Sequence, residues 1–121
     1  MIEILFVALG AGFGAAARYG VDQALPKPWG TVAVNFLGSF LLGIVVGVLA
    51  NIDLRAEAET YALLGTGFCG GFTTFSTASL EVLKIGHNDS AQRAVIFAVG
   101  MAIGSVALAA LGMALGLFIA R

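Results

Sequence analysis

The chain has 121 residues, 60% of them hydrophobic and 11% charged, so a soluble packing would leave large apolar surfaces facing water. Six Lys and Arg against seven Asp and Glu give a net charge of -1, which leaves no basic surface for nucleic acid. Cys69 is the only cysteine and cannot close a disulfide within the chain, and no CxxC or His/Cys cluster points to zinc or haem.

A bilayer core of about 30 Å needs roughly 20 apolar residues per helix, and four segments meet that requirement. The first runs from about Ile2 to Leu25 and stops before Pro26-Lys27-Pro28, where the prolines break any helix. Glu3 stands where a signal peptide carries basic residues, so this run reads as a retained helix. The second segment spans about Thr31 to Asn51. A charged stretch, Asp53 to Glu59, separates it from a third, about Thr60 to Ile85. Gly86-His-Asn-Asp-Ser90 supplies turn and N-cap residues, and the fourth segment runs from about Ala91 to Ile119. The expectation is one transmembrane domain over residues 1–121, all α-helical, with both termini on one side.

Small residues recur four apart at Gly10/Gly14, Gly43/Gly47, Gly67/Gly71, Gly100/Gly104 and Gly112/Gly116, a spacing that brings helix backbones together. Most of these glycines are expected to serve packing alone. Loop charge is nearly balanced: Arg55 and Arg121 lie on the side of the termini, against Lys27, Lys84 and Arg93 on the other, with Arg18 toward that end of the first helix. Orientation by the positive-inside rule is then weakly specified, and insertion of copies in both orientations is an open reading.

Polar side chains within an apolar span are the informative ones. They concentrate in Gly67-Phe-Cys-Gly-Gly-Phe-Thr-Thr-Phe-Ser-Thr-Ala-Ser79. Gly70-Gly71 and five hydroxyls in the next eight positions make a poor continuous helix, since glycine costs about 1 kcal/mol relative to alanine and Ser/Thr compete for backbone bonds. Composition alone leaves two readings: a hydroxyl-rich continuous helix, or a break between Gly70 and Thr77 buried in protein or lining a cavity. Thr31 and Asn35 share a face of the second segment, and the fourth contributes Ser105. Glu3, Asp22 and Glu81 all fall toward segment ends, with Glu81 one turn from Lys84. Arg18 is open to a structural or a functional role. The sole histidine, His87, sits in a connection, so no catalytic triad can be assembled and an enzyme is not expected.

The run Gly67 to Thr77, together with Gly30-Thr-Val-Ala-Val-Asn-Phe-Leu-Gly38 and Gly14-Ala-Ala-Ala-Arg-Tyr19, resembles the Fluc/CrcB family of fluoride channels over nearly the whole chain. The resemblance implies a four-helix subunit with a break in its third helix. It also implies an antiparallel, dual-topology homodimer in a cell inner (plasma) membrane, with two fluoride pores and a central structural Na+. In the family that sodium is held by backbone carbonyls that map onto Gly70 and Thr73. The pore asparagine maps onto Asn35, the hydroxyl track onto Thr31, Ser76, Thr77 and Ser105, and the first of two pore phenylalanines onto Phe75. The second phenylalanine position is Ala78 here, Met101 stands where some relatives have tyrosine, and Phe72 matches a packing position. Uncharged amide and hydroxyl donors can replace the water of a small anion without trapping it. The rival readings are a small multidrug-type exporter, which needs a membrane-embedded glutamate absent from the first helix, and a non-conducting subunit of an unequal pair.

Overall fold

The computed structural model describes residues 1–50, 52 and 58–121, and among them there is helix and no strand. Helix α1 spans Ile2–Ala24 and α2 spans Trp29–Leu49. A wide-wound segment α3, Tyr61–Cys69, carries the chain into the short α4, Gly70–Phe72. After an extended step at Thr73 and Thr74, α5 runs from Phe75–Asn88 and α6 from Ala91–Ile119. The charged stretch Asp53 to Glu59 and the end of the second segment at Asn51 lie largely outside the described residues, Arg55 among them.

Three of the helices, α1, α2 and α6, with 23, 21 and 29 residues, are long and apolar enough to cross a membrane, which makes the chain a multi-pass membrane protein. The turn between α1 and α2 follows the expected prolines, and the Lys27 ammonium pairs with Asp22 Oδ1 at 3.1 Å to tie it together. The second segment starts two residues earlier than expected because Pro28 serves as its N-cap, a place where a missing N–H costs nothing. Ser90 caps α6, its hydroxyl accepting the Arg93 N–H at 3.2 Å.

Backbone contact through glycine organises the bundle. A methyl on Gly10 would fall on the Leu63 carbonyl, one on Gly14 on the Phe68 carbonyl, and one on Gly71 on the Ala11 carbonyl. Contacts that advance together in both sequences mean that α1 and the α3–α4 segment run parallel. The same holds for α2 and α6: Gly43 meets Ala109, Gly47 meets Met113, and Gly112 and Gly116 meet Phe40 and Ile44. Four of the five expected glycine pairs are therefore built into helix contacts, whereas Gly100 has open space beside it and Gly104 lies under the Phe36 ring.

Tyr61–Cys69 is wound as a π-helix, a departure from the plain helix expected there, and it is unusually long for that form. A Cβ on Gly67 would come within 3.0 Å of the Gly10 Cα. The wider winding thus occurs where α3 lies directly on the backbone of α1.

Replacing Gly14 or Gly43 with valine forces side-chain atoms onto a facing carbonyl that cannot retreat. Both variants are expected to lose monodisperse protein on gel filtration in detergent. Gly12→Ala, where nothing lies within 4 Å, is expected to elute like the parent, and equal behaviour of all three would refute backbone packing at these positions.

Candidate functional site

The interruption of the third helical path lies at Thr73-Thr74, after the glycines and not at them. Gly70 keeps helical angles (φ -64, ψ -39), while Thr73 (φ -79, ψ 162) and Thr74 (φ -149, ψ 121) are extended. Packing explains the difference: Gly71 must stay helical to lie on Ala11, and a propensity cost of about 1 kcal/mol is readily overridden by tertiary contact. Threonine carries the means to end one helix and start another. The Thr73 N–H and hydroxyl both donate to Cys69 O at 2.9 Å, and the Thr74 hydroxyl accepts the Thr77 N–H at 3.2 Å as the N-cap of α5.

An extended step inside a membrane protein leaves peptide groups that lipid cannot satisfy. Two distant side chains take them up. Asn35 holds the Thr74 peptide unit on both edges, accepting its N–H at Oδ1 (2.7 Å) and donating Nδ2–H to its carbonyl (3.0 Å). Arg18 Nη1 donates to Thr73 O at 3.1 Å, which gives this cation a fixed partner 55 residues away. Gly38 lets α2 approach this closely, for a methyl there would strike the Thr73 side chain. Because Thr74 N–H turns to Asn35, the Gly70 carbonyl loses the donor that a continuous helix would give it.

A groove of about 960 Å³ opens beside the break. Asn35, Ser39 and Ser105 reach it from α2 and α6, and Phe75, Ala78 and Met101 also line it. Phe75 stands at the start of α5 and is 88% exposed. Phe72, by contrast, is buried and stacks on Phe68 with centroids 5.7 Å apart, so its ring belongs to the packing between helices.

Of the residues singled out in the sequence, Asn35, Gly70, Thr73, Phe75 and Ser105 meet at this groove, and Arg18 reaches it through Thr73 O. The other hydroxyls lie elsewhere. Ser76 and Thr77 lie off the groove lining, their hydroxyls clustered around the cap at 3.4 Å and 3.1 Å from the hydroxyl of Thr74, which does line the groove. Thr31 is fully buried, and its Oγ1 has no hydrogen-bond partner among the described residues.

Sequence reasoning missed two features. Ser39 is one: its serine lies one turn beyond Asn35 on the same helix, a spacing that was available in the sequence. Glu81 is the other. It pairs with Lys84 as expected, at 3.6 Å, yet its residue is only 5% exposed. Its place toward the end of the segment did not reveal this burial: the face of α5 that carries Thr77 and Glu81, continuing from the cap residue Thr74, turns inward.

The Gly70 and Thr73 carbonyls form a neutral, hard-oxygen donor set of the kind that suits a small monovalent or divalent cation. Gly70 O is released from helix bonding, and Thr73 O keeps a second lone pair beside the one that Arg18 uses. These residues fit such an ion when further oxygens come from outside the subunit.

Replacing Asn35 with aspartate removes the donor to Thr74 O and sets a carboxylate against that carbonyl, at a cost of about 1–3 kcal/mol. The expected result is a lower unfolding temperature in detergent; an unchanged midpoint would show that the amide does not hold the break.

Residues 5–117 match the family described as "CrcB-like protein, Camphor Resistance (CrcB)". The chain is 41% identical to a protein of Cutibacterium acnes named "Fluoride-specific ion channel FluC 2", across 95% of this chain and 98% of that one. It is 43% identical to "Fluoride-specific ion channel FluC" of Phenylobacterium zucineum over its full length and 97% of the relative. Identity to the protein of the same name from Agrobacterium fabrum is 38%, across 96% and 97% of the two chains.

Proposed function

The chain belongs to the family of CrcB-like proteins, and we propose that it is the subunit of a fluoride-selective channel, not an enzyme. The channel passively releases fluoride across the cytoplasmic (inner) membrane and so lowers its internal concentration. The observation that carries this reading is the break itself: an interrupted helix, held by Arg18 and Asn35, beside a groove whose polar groups are uncharged donors. Fluoride is small and strongly hydrated, so a pore must offer hydrogen-bond donors in place of water without holding the ion fast. The names of the relatives supply the ion.

In this reading the path from residue 58 to 88 is the third of four crossings. The parallel pairing of α1 with α3 and of α2 with α6 supports that count, because alternate crossings share a direction. The groove is one wall of a pore, completed by a second copy in antiparallel orientation. Near-balanced loop charge supports dual insertion, and the exposed Phe75 ring and the open space beside Gly70 support a partner at the break. Phe75 presents a ring edge, whose partial positive charge suits an anion.

Gly70 and Thr73 of the two copies would together supply four carbonyl oxygens to a structural sodium ion at the dimer centre. Bound there, the ion would neutralise carbonyl dipoles that crowd together and tie the two breaks to each other. Arg18 keeps the Thr73 carbonyl oriented. A drug-exporter reading has less support, because no carboxylate lines the groove.

Efflux of fluoride from liposomes, with chloride as control, tests the channel directly. Wild-type protein is expected to release fluoride without an imposed proton gradient and to retain chloride. Phe75→Ile is expected to abolish release while leaving assembly intact, and undiminished release would remove Phe75 from the pore. Ala78→Phe adds a ring to the groove wall and is expected to change the rate at least about twofold; no change would mean that the position does not face the ion.

A further inference from the structure

Around the break the groove's side-chain donors are Asn35, Ser39, Thr73, Thr74, Ser79 and Ser105, with Tyr61 and Thr66 further back along α3, and most of those around the break are already engaged, the Thr74 hydroxyl with Thr77 Oγ1. The Asn35 amide gives Oδ1 and one N–H to Thr74, which leaves a single N–H. The Thr73 hydroxyl donates to Cys69 O, and the Ser79 hydroxyl donates to Phe75 O at 2.9 Å. A small anion stripped of its water needs several donors at once, and one residual amide proton is too few.

Ser39 and Ser105 are different. Each is half-buried in the groove wall, and neither hydroxyl is bonded to a helix carbonyl or to any other group among the described residues. Neither hydroxyl is sealed off either, since Thr31 Oγ1 is the buried unpartnered side-chain atom. The helices set them about one turn apart in depth. Phe36 lies on Gly104, which brings Asn35 level with Ser105, and Ser39 follows Asn35 on the same face by one turn, about 6 Å along the axis. Met101, whose side chain offers no donor, stands one turn before Ser105.

We propose that Ser39 is a pore donor: its free hydroxyl, with the remaining Asn35 N–H and the Ser105 hydroxyl, forms the set that replaces water around the ion as it passes the break. The inference rests on the fluoride-channel reading and adds a residue to it. It also explains why an anion can pass a groove wall that lacks a fixed charge: the three donors come from two helices held parallel by glycine contact, so their spacing does not depend on loops.

Ser39→Ala removes one donor with no added bulk and is expected to slow fluoride efflux from liposomes about tenfold, the size of one lost hydrogen bond of about 1.4 kcal/mol. Ser39→Cys keeps the side-chain shape with a weak donor and is expected to fall between alanine and wild type. Ser79→Ala makes the same chemical change at a hydroxyl already bonded to Phe75 O, and is expected to lose less than about twofold. Gel filtration confirms assembly of each variant. Undiminished efflux in Ser39→Ala, or equal loss in Ser39→Ala and Ser79→Ala, overturns the role of Ser39 while the channel reading stands. If wild-type protein releases no fluoride, the channel reading fails and takes this assignment with it.

Discussion

Everything near the break depends on one exchange of hydrogen bonds, that between the Asn35 side chain and the Thr74 peptide. A helix interrupted at membrane depth frees backbone groups that hydrocarbon cannot satisfy, and each costs about 1–3 kcal/mol if left alone. An asparagine amide presents a carbonyl and an N–H side by side, as a neighbouring strand would. It can therefore bond the Thr74 N–H and C=O together. Arg18 answers a second freed carbonyl, Thr73 O, while Gly70 O is left without its helical donor. The extended pair itself, Thr73 and Thr74, is thereby hydrogen-bonded on its carbonyls and on the Thr74 N–H, and becomes a stable part of the bundle.

That arrangement needs close approach, which the glycines provide. Gly38 admits the Thr73 side chain, and Gly10, Gly14 and Gly71 let α1 lie on α3 and α4. With α1 so near, Arg18 reaches the break from the end of its own helix. Small residues and polar residues thus act in sequence: the first bring backbones together, and the second complete the hydrogen bonds that closeness makes possible.

Much of this was legible in the amino-acid sequence. The apolar runs located α1 within one residue and α6 at both of its bounds, because span length and flanking turn residues constrain helix ends strongly. The interruption was legible as a region, Gly70 to Thr77, and the structure puts it inside that region at Thr73-Thr74. Glycine propensity and hydroxyl competition could not single out the residues, because contact of Gly71 with Ala11 keeps the glycines helical and passes the break on to the threonines. Asn35 stood out as a lone amide in an apolar helix, but its partner is 39 residues away, beyond any local pattern. The inward turn of Glu81 was hidden for the same reason. Which face of α5 points inward follows from where α2 and α6 stand, and periodicity along α5 does not record that.

The parallel pairing of α2 with α6 bears on how the protein is made. The glycine face of α2 finds its match at Gly112 and Gly116, close to the C-terminal end of α6. During synthesis at about 5–20 residues per second, α2 leaves the ribosome several seconds before its neighbour exists. Its small-residue face must wait in the lipid, or against a chaperone, until the last turns of α6 arrive. This pairing is therefore completed only well after α2 is made, and a nascent chain stopped short of Gly112 would carry the break and its asparagine without the glycines that seat α6 on Phe40 and Ile44.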